Sequence, residues 1–246
     1  MENHTNDLII DAHILAYNEE KILPYTLDYY SQFCNKIYIY DNMSTDSSNS
    51  IYTKYPKVVV QKWNSNNQIN ENNYLVLKNN EYKKSRKNNA DWVIVCDCDE
   101  FLYHPNLLDK LADYKAKGIT VPLVEGHDMV SKVFPEYDGV PLTEKVKIGS
   151  EVYEPFNKKI VFNPKIDVTY GIGAHSFSAI NAIYSDIPEF KLLHYKLLGK
   201  EYIKDIYEKR AERLSKFNKN HGFGAHYFNP PFEYMDKLLT ENRQII

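Results

Sequence analysis

The sequence WVIVCDCDE at residues 92–100 joins an apolar, β-branched run to three carboxylates in four residues. Such a run predicts a buried strand that leads straight into Asp97. Because side chains alternate along a strand, Asp97 and Asp99 should share one face while Cys96 and Cys98 face the core. Clustered carboxylates repel one another unless they face water or share a cation, and their oxygens suit Mg²⁺ or Mn²⁺. The stretch predicts a metal site, with an acidic strand end that caps a helix as the alternative.

The residues before this stretch alternate between strand-like and helical patterns. Such alternation predicts βαβ units and a mostly parallel central sheet flanked by helices, which is an α/β fold. In open parallel sheets, ligands bind beyond the carboxyl ends of the strands. Tyr17, Asp41 and Asp97 fall at such ends, so we expect them to meet at one edge of the sheet. The predicted strands are residues 8–17, 36–40, 58–60 and 92–96, and the predicted helical segments are about residues 23–30, 44–52 and 68–87.

The second half of the sequence is less regular. Its longest stretch without a periodic pattern is a predicted loop, and a loop of that length is usually functional or disordered. Its clearest element is an amphipathic helix near the end. The predicted elements are strands at residues 119–124, 159–162 and 190–194, the loop at residues 125–152 and the helix at residues 200–217.

No internal repeat or linker divides the chain, so we expect one domain over residues 1–217. Residues 218–246 then form a C-terminal tail. Gly222 and Gly224 would let this tail act as a lid, and a packed extension is the alternative.

The composition argues against several classes of protein. The 246 residues carry a net charge of −3, which does not favour nucleic acid as a partner. The apolar residues 8–16 contain Asp11 and His13, and they are too short and too polar for a signal peptide or a membrane span. Three cysteines without regular spacing give no disulfide framework. We expect a cytoplasmic protein without a transmembrane segment, which could still work at a membrane surface through a partner.

Several polar residues outside the acidic stretch could contribute to a site. A single histidine such as His175 or His194 is more often structural, but an imidazole can complete a carboxylate metal site. Lys158 and Lys159 could offset the charge of a diphosphate, with Lys159 as the candidate, although paired lysines are usually solvated. Asp41 could accept a hydrogen bond from a base or a ribose hydroxyl, or it could serve turn chemistry alone.

The motifs at these positions resemble those of family 2-like glycosyltransferases with the GT-A fold. The acidic motif Asp-x-Asp-Glu-Phe and the later histidine motifs are similar to one branch of that family. The resemblance spans about residues 8–209, and it lies in the shared order and spacing of the motifs. The matching segments are LAYNEE at residues 15–20, IYDNMSTD at 39–46, DCDEFL at 97–102, KIV at 159–161, GAH at 173–175 and LHY at 193–195.

The resemblance implies a transferase that uses a nucleotide-diphosphate sugar, with a UDP-sugar favoured, and a Mn²⁺ or Mg²⁺ ion. It also implies inversion at the anomeric carbon and a hydroxyl acceptor on a glycan, a lipid-linked molecule or a protein. The matching positions assign the nucleoside to Tyr17 and Asp41, the ribose and metal-bound waters to Asp97, metal coordination to Asp99 and His194, and a less defined active-site position to His175.

An inverting transfer needs a base near the acceptor hydroxyl, and no motif identifies that base. Glu125, Asp128 and Glu136 lie in the predicted loop, where the acceptor site should form, and we select Asp128. Two alternatives stay open. A nucleotidyltransferase would use similar carboxylates, but no Gly- and Lys/Arg-rich phosphate loop follows the first predicted strand. A non-catalytic nucleotide- or carbohydrate-binding module would retain the same fold.

Overall fold

The computed structural model describes residues 8–246, so the first seven residues of the predicted 1–217 domain lie outside the described part. In this part the strands form a five-stranded, a three-stranded and a two-stranded sheet. The strands are β1 (Ile10–Ala16), β2 (Lys36–Asp41), β3 (Val58–Lys62), β4 (Trp92–Asp97), β5 (Glu100–Tyr103), β6 (Val124–Ser131), β7 (Val161–Phe162), β8 (Asp167–Tyr170), β9 (Phe177–Ile180) and β10 (Phe190–Leu198).

The five-stranded sheet has the order β3-β2-β1-β4-β7, and only β7 runs antiparallel to its neighbour. The predicted α/β fold with a mostly parallel sheet is therefore confirmed. The chain changes direction across the sheet at β1, which pairs with both β2 and β4, and such a switch point opens a crevice at the strand ends. There Ala16 lies opposite Asp41, and Leu15 lies opposite Asp97.

Helices and 3₁₀ turns cover both faces of this sheet. In β4, Ile94 and Cys96 face a core that includes Leu27 of the first helix, whereas Val93 and Val95 face a second cluster. Burial on both faces explains the continuous apolar run of the strand. The helices are α1 (Leu23–Ser31), α2 (Ser48–Tyr52), α3 (Glu71–Asn80), α4 (Leu107–Ala116), α5 (Leu142–Lys145), α6 (Lys200–Glu212), α7 (Lys216–His221) and α8 (Phe232–Glu241).

The three-stranded sheet has the order β5-β10-β6, with β10 antiparallel to β5 and parallel to β6. It corrects two sequence predictions. The strand expected at residues 119–124 instead runs from Val124 to Ser131, so much of the first third of the predicted loop at residues 125–152 is a buried strand. Its residues EGHD look like a loop because polar groups occupy interior positions, and the ladder to β10 supplies the backbone hydrogen bonds that make the strand stable.

The C-terminal tail packs against the rest of the chain. The helix predicted at residues 200–217 is two helices, because α6 ends at Glu212 and α7 begins at Lys216. In α8, Met235 and Leu238 are buried in a cluster with side chains of β6, β10 and α6. Across residues 8–246, no helix combines the length and the apolar character that a membrane crossing requires.

A buried histidine lies inside the parallel sheet. His13 of β1 is 1% exposed; its Nδ1 is 2.8 Å from Tyr40 Oη and its Nε2 is 2.8 Å from Ser85 Oγ. Burial, helped by the positive charge of Lys84, lowers the pKa of His13 to about 3 from its usual 6.5. The folded chain therefore holds this ring neutral, and an unfolded chain would protonate it in mild acid.

We expect His13 to make the fold acid-sensitive. A lowered folded-state pKa contributes stability above pH 6.5, and that stability is lost as the pH falls toward 3. Between pH 7.5 and pH 5 the loss should be about 2 kcal/mol. His13→Gln keeps a donor and an acceptor but does not titrate. Over the same pH range, its free energy of unfolding in urea should therefore fall by about 2 kcal/mol less than that of the wild type. Equal pH dependence of the two proteins would contradict the prediction.

Candidate functional site

The two-residue turn Cys98-Asp99 joins β4 to β5, and together with the flanking Asp97 and Glu100 this acidic turn brings three carboxylates to the end of the parallel sheet. Asp99 and Glu100 are buried, whereas the side chain of Asp97 is 42% exposed. The backbone N–H of Asp97 donates to Glu100 Oε2 over 3.0 Å, which stabilises the turn. Cys96 and Cys98 are buried in the main core, as the sequence predicted, but Cys98 lies in the turn and not in a strand as expected.

His194 lies between two carboxylates because of the register of the three-stranded sheet. In β10 it is opposite Glu100 of β5 and Asp128 of β6. Its Nδ1 is 2.9 Å from Asp128 Oδ1, and its Nε2 is 3.6 Å from Asp99 Oδ2. Burial alone would lower the pKa of His194, but the two carboxylates outweigh burial and raise it to about 9. Asp99, His194 and Asp128 therefore form a row of carboxylate, imidazolium and carboxylate.

The donor atoms in this row fit a divalent cation in part. Within residues 8–246, no group of three or more His, Cys, Asp or Glu side chains is arranged to hold a metal ion. Asp99 Oδ2 and His194 Nε2 do face each other at a distance too long for a hydrogen bond. The contact with Asp128 fixes the ring orientation, as carboxylates do behind metal-bound histidines. Mn²⁺ or Mg²⁺ held by this pair would complete its shell with water and phosphate oxygens.

The third predicted ligand, Asp97, is paired with a lysine. Its Oδ1 is 3.1 Å from the Nζ atom of Lys78, which is 9% exposed. Burial would raise the pKa of Asp97, but the charges of Lys78 and Lys158 outweigh burial and lower it. Asp97 is therefore ionised at the mouth of the site and partly open to solvent.

Buried and half-buried cations surround the acidic turn. Lys158 Nζ is 2.5 Å from Glu100 Oε1, and both side chains are less than 10% exposed. Burial would raise the pKa of Asp99, but the contact with His194 outweighs burial and lowers it, and Arg210 and Lys196 lie close enough to lower it further. Burial and the neighbouring Arg210 lower the pKa of Lys196, which shows that these two cations crowd each other. Crowded cations favour a bound anion such as a diphosphate.

The lysine chosen from the sequence does not contact the acidic turn. Lys159 Nζ donates to the backbone carbonyl of Asn157 over 3.0 Å, and the side chain is partly exposed. The neighbouring Lys158 points inward instead, to Glu100. Sequence alone did not separate the two because a paired lysine carries no sign of which side chain is buried.

The predicted nucleoside residues lie at the ends of β1 and β2. Asp41 is fully buried and accepts from the Ser44 N–H over 2.8 Å, from Lys62 Nζ over 2.7 Å and from Tyr52 Oη over 2.9 Å. Although burial opposes ionisation, these contacts lower the pKa of Asp41. Tyr17 lies nearer the surface, with the guanidinium of Arg213 3.2 Å above its ring.

Asp128 lies in strand β6 and not in a loop, which corrects its predicted setting. Its N–H donates to Ser150 Oγ over 3.0 Å, and its carbonyl accepts from the Ser150 N–H over 2.9 Å. Glu125 belongs to the same strand, but an odd spacing puts it on the opposite face. Glu136 is exposed in the segment after β6. Of the three acids considered as bases, Asp128 alone contacts His194.

His175 lies at the mouth of the site. It is exposed, and its Nδ1 is 2.8 Å from the carbonyl oxygen of Pro155. Phe156 lies between the two predicted histidines, with ring centroids 6.0 Å from His175 and 4.5 Å from His194. Phe156 therefore separates His175 from the Asp99–His194 pair.

The structure brings in residues that the sequence patterns missed. Lys78, Lys196 and Arg210 belong to no sequence motif, and they lie in α3, β10 and α6. Glu19, which is 17% exposed in its side chain, lies 3.4 Å from Arg210 Nη2. Burial, with added repulsion from Asp99, raises the pKa of Glu19 to about 7 despite the opposing charge of Arg210. No local signal in the sequence marks these contacts, because each joins distant segments.

Comparisons with solved structures identify similar folds. The S. aureus TarS 1–349 structure in complex with UDP has a TM-score of 0.50 and 14% identity, over 92% of this chain and 72% of that one. The same protein with UDP-GlcNAc gives a TM-score of 0.46 and 15% identity, over 92% and 73%. Glucosyl-3-phosphoglycerate synthase from Mycobacterium tuberculosis, in complex with Mn²⁺, UDP and glucosyl-3-phosphoglycerate, has a TM-score of 0.32 and 18% identity, over 50% of this chain and 45% of that one. No family model and no curated protein matches the chain in sequence.

These neighbours are glycosyltransferases of the GT-A type. At these identities the likeness concerns the fold, and the TarS complex with UDP has the TM-score that supports it. The GT-A fold expected from the sequence motifs is therefore confirmed. It explains why the acidic turn lies at the carboxyl ends of the parallel strands.

We expect Lys158→Met to destabilise the chain because it leaves the Glu100 carboxylate buried without its cation. Breaking a buried pair in this way costs about 3–5 kcal/mol. Lys159→Met is the matched control, because the ammonium of Lys159 donates to a backbone carbonyl at a partly exposed position. This substitution should change the free energy of unfolding by about 0.5 kcal/mol or less. The free energy of unfolding in urea measures both, and equal effects would contradict the inward placement of Lys158.

Proposed function

We propose that the chain is a glycosyltransferase that moves a sugar from a nucleotide-diphosphate donor, with a UDP-sugar favoured, to a hydroxyl acceptor on a glycan, a lipid-linked molecule or a protein. The observation that carries this proposal is the pair Asp99 and His194, held side by side among buried cations at the strand-end crevice of a GT-A fold. The similarity to TarS, whose structure contains UDP, supports the choice of nucleotide.

In this proposal Asp99 and His194 would hold Mn²⁺ or Mg²⁺, and Asp97, at the mouth of the site, would contact the water shell of the ion and the ribose. Bound there, the ion would neutralise charge on the leaving diphosphate. Lys196 and Arg210 bind the remaining phosphate charge, because they crowd each other beside Asp99, and Arg210 also contacts Glu19. An anion between them relieves their mutual repulsion.

The ends of β1 and β2 form the nucleoside side of the proposed site. Tyr17 and the Arg213 guanidinium stacked on its ring form one wall of this side, and Asp41 shapes the loop that follows β2 by accepting from the Ser44 N–H. Lys159 and His175, both chosen from the sequence, lie outside the Asp99–His194 pair. We assign them to the rim of the site, where they can contact donor or acceptor groups.

Asp128 has a positioning role in this proposal. The Oδ1 atom of Asp128 is already engaged with Nδ1 of His194 over 2.9 Å, which is the contact that orients the ring. This contact leaves Nε2 of His194 directed at Asp99. We therefore replace the role of base, expected from the sequence, with that of holding His194 in place.

The proposed transfer is a single displacement. The bond between the anomeric carbon and the diphosphate oxygen breaks through an oxocarbenium-like transition state. The acceptor oxygen forms the new bond on the opposite face, which inverts the anomeric centre, and the acceptor proton leaves to a base. The diphosphate departs with its charge balanced by Lys196 and Arg210.

Metal-dependent UDP binding tests the site directly. We expect UDP with Mn²⁺, at about a hundredfold above its Kd, to raise the melting temperature by roughly 5–10 °C. Asp99→Asn should abolish the rise because it removes a ligand, while Asp109→Asn, an exposed control, should keep it. GDP is the nucleotide control. A rise that survives in Asp99→Asn would overturn the metal assignment, and a triphosphate requirement would favour a nucleotidyltransferase.

Metal dependence distinguishes the positioning role of Asp128 from the role of a catalytic base. We expect Asp128→Asn to raise the Mn²⁺ concentration needed for half-maximal sugar transfer about 10- to 100-fold, as for other partners of metal-bound histidines. The maximal rate should recover at saturating Mn²⁺, because the amide oxygen still accepts from Nδ1. Release of UDP from a panel of UDP-sugars measures both quantities, with Asp205→Asn as the exposed control. A rate that stays at least a hundredfold low at all Mn²⁺ concentrations would restore Asp128 as the base.

A further inference from the structure

A row of aromatic rings leads from solvent to the Asp99–His194 pair. Tyr153 is 45% exposed, and its ring centroid is 5.2 Å from that of Phe156. Phe156 in turn is 4.5 Å from His194. An exposed aromatic ring beside a polar site offers a flat apolar face to a ligand, and covering that face removes apolar surface from water.

The backbone that carries this row is anchored to β6. The Tyr153 N–H donates to the Gly126 carbonyl over 2.9 Å, and the Gly126 N–H donates to Asn157 Oδ1 over 2.8 Å. Only glycine fits at position 126, because an added Cβ would lie 2.4 Å from the carbonyl oxygen of Phe156. The exposed ring therefore stands on a fixed backbone, so a ligand that stacks on it loses little free energy to ordering the protein.

The strand order separates this row from the nucleoside side. Tyr17 and Asp41 lie at the ends of β1 and β2, on one side of β4. The aromatic row instead contacts Gly126 of β6 and His194 of β10. Near the row are acceptors and donors suited to hydroxyl groups. Asp128 lies behind His194, and His175 is exposed with its ring held by Pro155.

We propose that Tyr153 and Phe156 bind a pyranose ring of the acceptor, so that the acceptor of the proposed glycosyltransferase is a sugar. An aromatic face matches the apolar C–H face of a sugar ring, and the polar groups around it match the ring hydroxyls. An open-chain polyol has no ring face to stack. Calling this sugar the acceptor rests on the proposed function, but binding of a sugar at this site does not require that the donor binds.

Direct binding tests the platform. The probes are methyl glycosides of glucose, galactose and N-acetylglucosamine, with ribitol as the ring-free comparison, measured by saturation-transfer NMR on the whole chain with and without UDP and Mn²⁺. We expect at least one glycoside to bind more tightly than ribitol. Tyr153→Ala should weaken it roughly three- to tenfold, and Tyr153→Phe should retain it. Tyr184→Ala removes a tyrosine of similar exposure, 41%, at another surface and should have no effect.

The outcomes separate this proposal from the proposed function. Glycosides that bind no better than ribitol, or equal losses in Tyr153→Ala and Tyr184→Ala, would overturn the platform. A normal UDP-induced rise in melting temperature in the same samples would leave the donor site intact. Conversely, glycoside binding that depends on Tyr153 without any response to UDP would support the platform and count against the transferase.

Discussion

Carboxylates can be buried together only if cations are buried with them, and this constraint organises the whole site. Moving a charge out of water costs several kcal/mol unless an opposite charge compensates it. Glu100 is compensated by Lys158 and Asp99 by His194, and each partner comes from the second half of the chain. The acidic turn therefore requires the irregular second half to fold back onto the parallel sheet. Site and fold are stabilised by the same contacts.

The register of β10 turns this constraint into geometry. With β5 on one side and β6 on the other, His194 is placed opposite Glu100 and Asp128. The register of β10 against β6 shifts between His194 and Leu197, where β10 carries one extra residue. Such bulges are frequent next to active sites because they redirect side chains, and here the extra length includes Lys196. The site lies along the seam between the two sheets, with its two sides supplied by different strands.

The sequence predicted the parallel half well because its signals are local. Apolar runs and helical periodicity depend on neighbouring residues, so β1, β2 and β4 were found close to their true bounds. The strand β6 was missed because Gly126 and Asp128 have the character of loop residues. Gly126 is needed for the close approach of Phe156, and Asp128 is needed beside His194. Local rules fail at such positions because the residues serve the site.

By itself the sequence determined the α/β fold, the acidic turn after β4 and the meeting of Tyr17, Asp41 and Asp97 at neighbouring strand ends. These features follow from the period of the side chains and from the common direction of parallel strands. Only the tertiary structure decided which cations neutralise the acids and that Asp128 meets His194. Lys158 and Glu100 are 58 positions apart in the sequence, and His194 and Asp128 are 66 positions apart. Contacts between such distant residues leave no periodic pattern in the sequence.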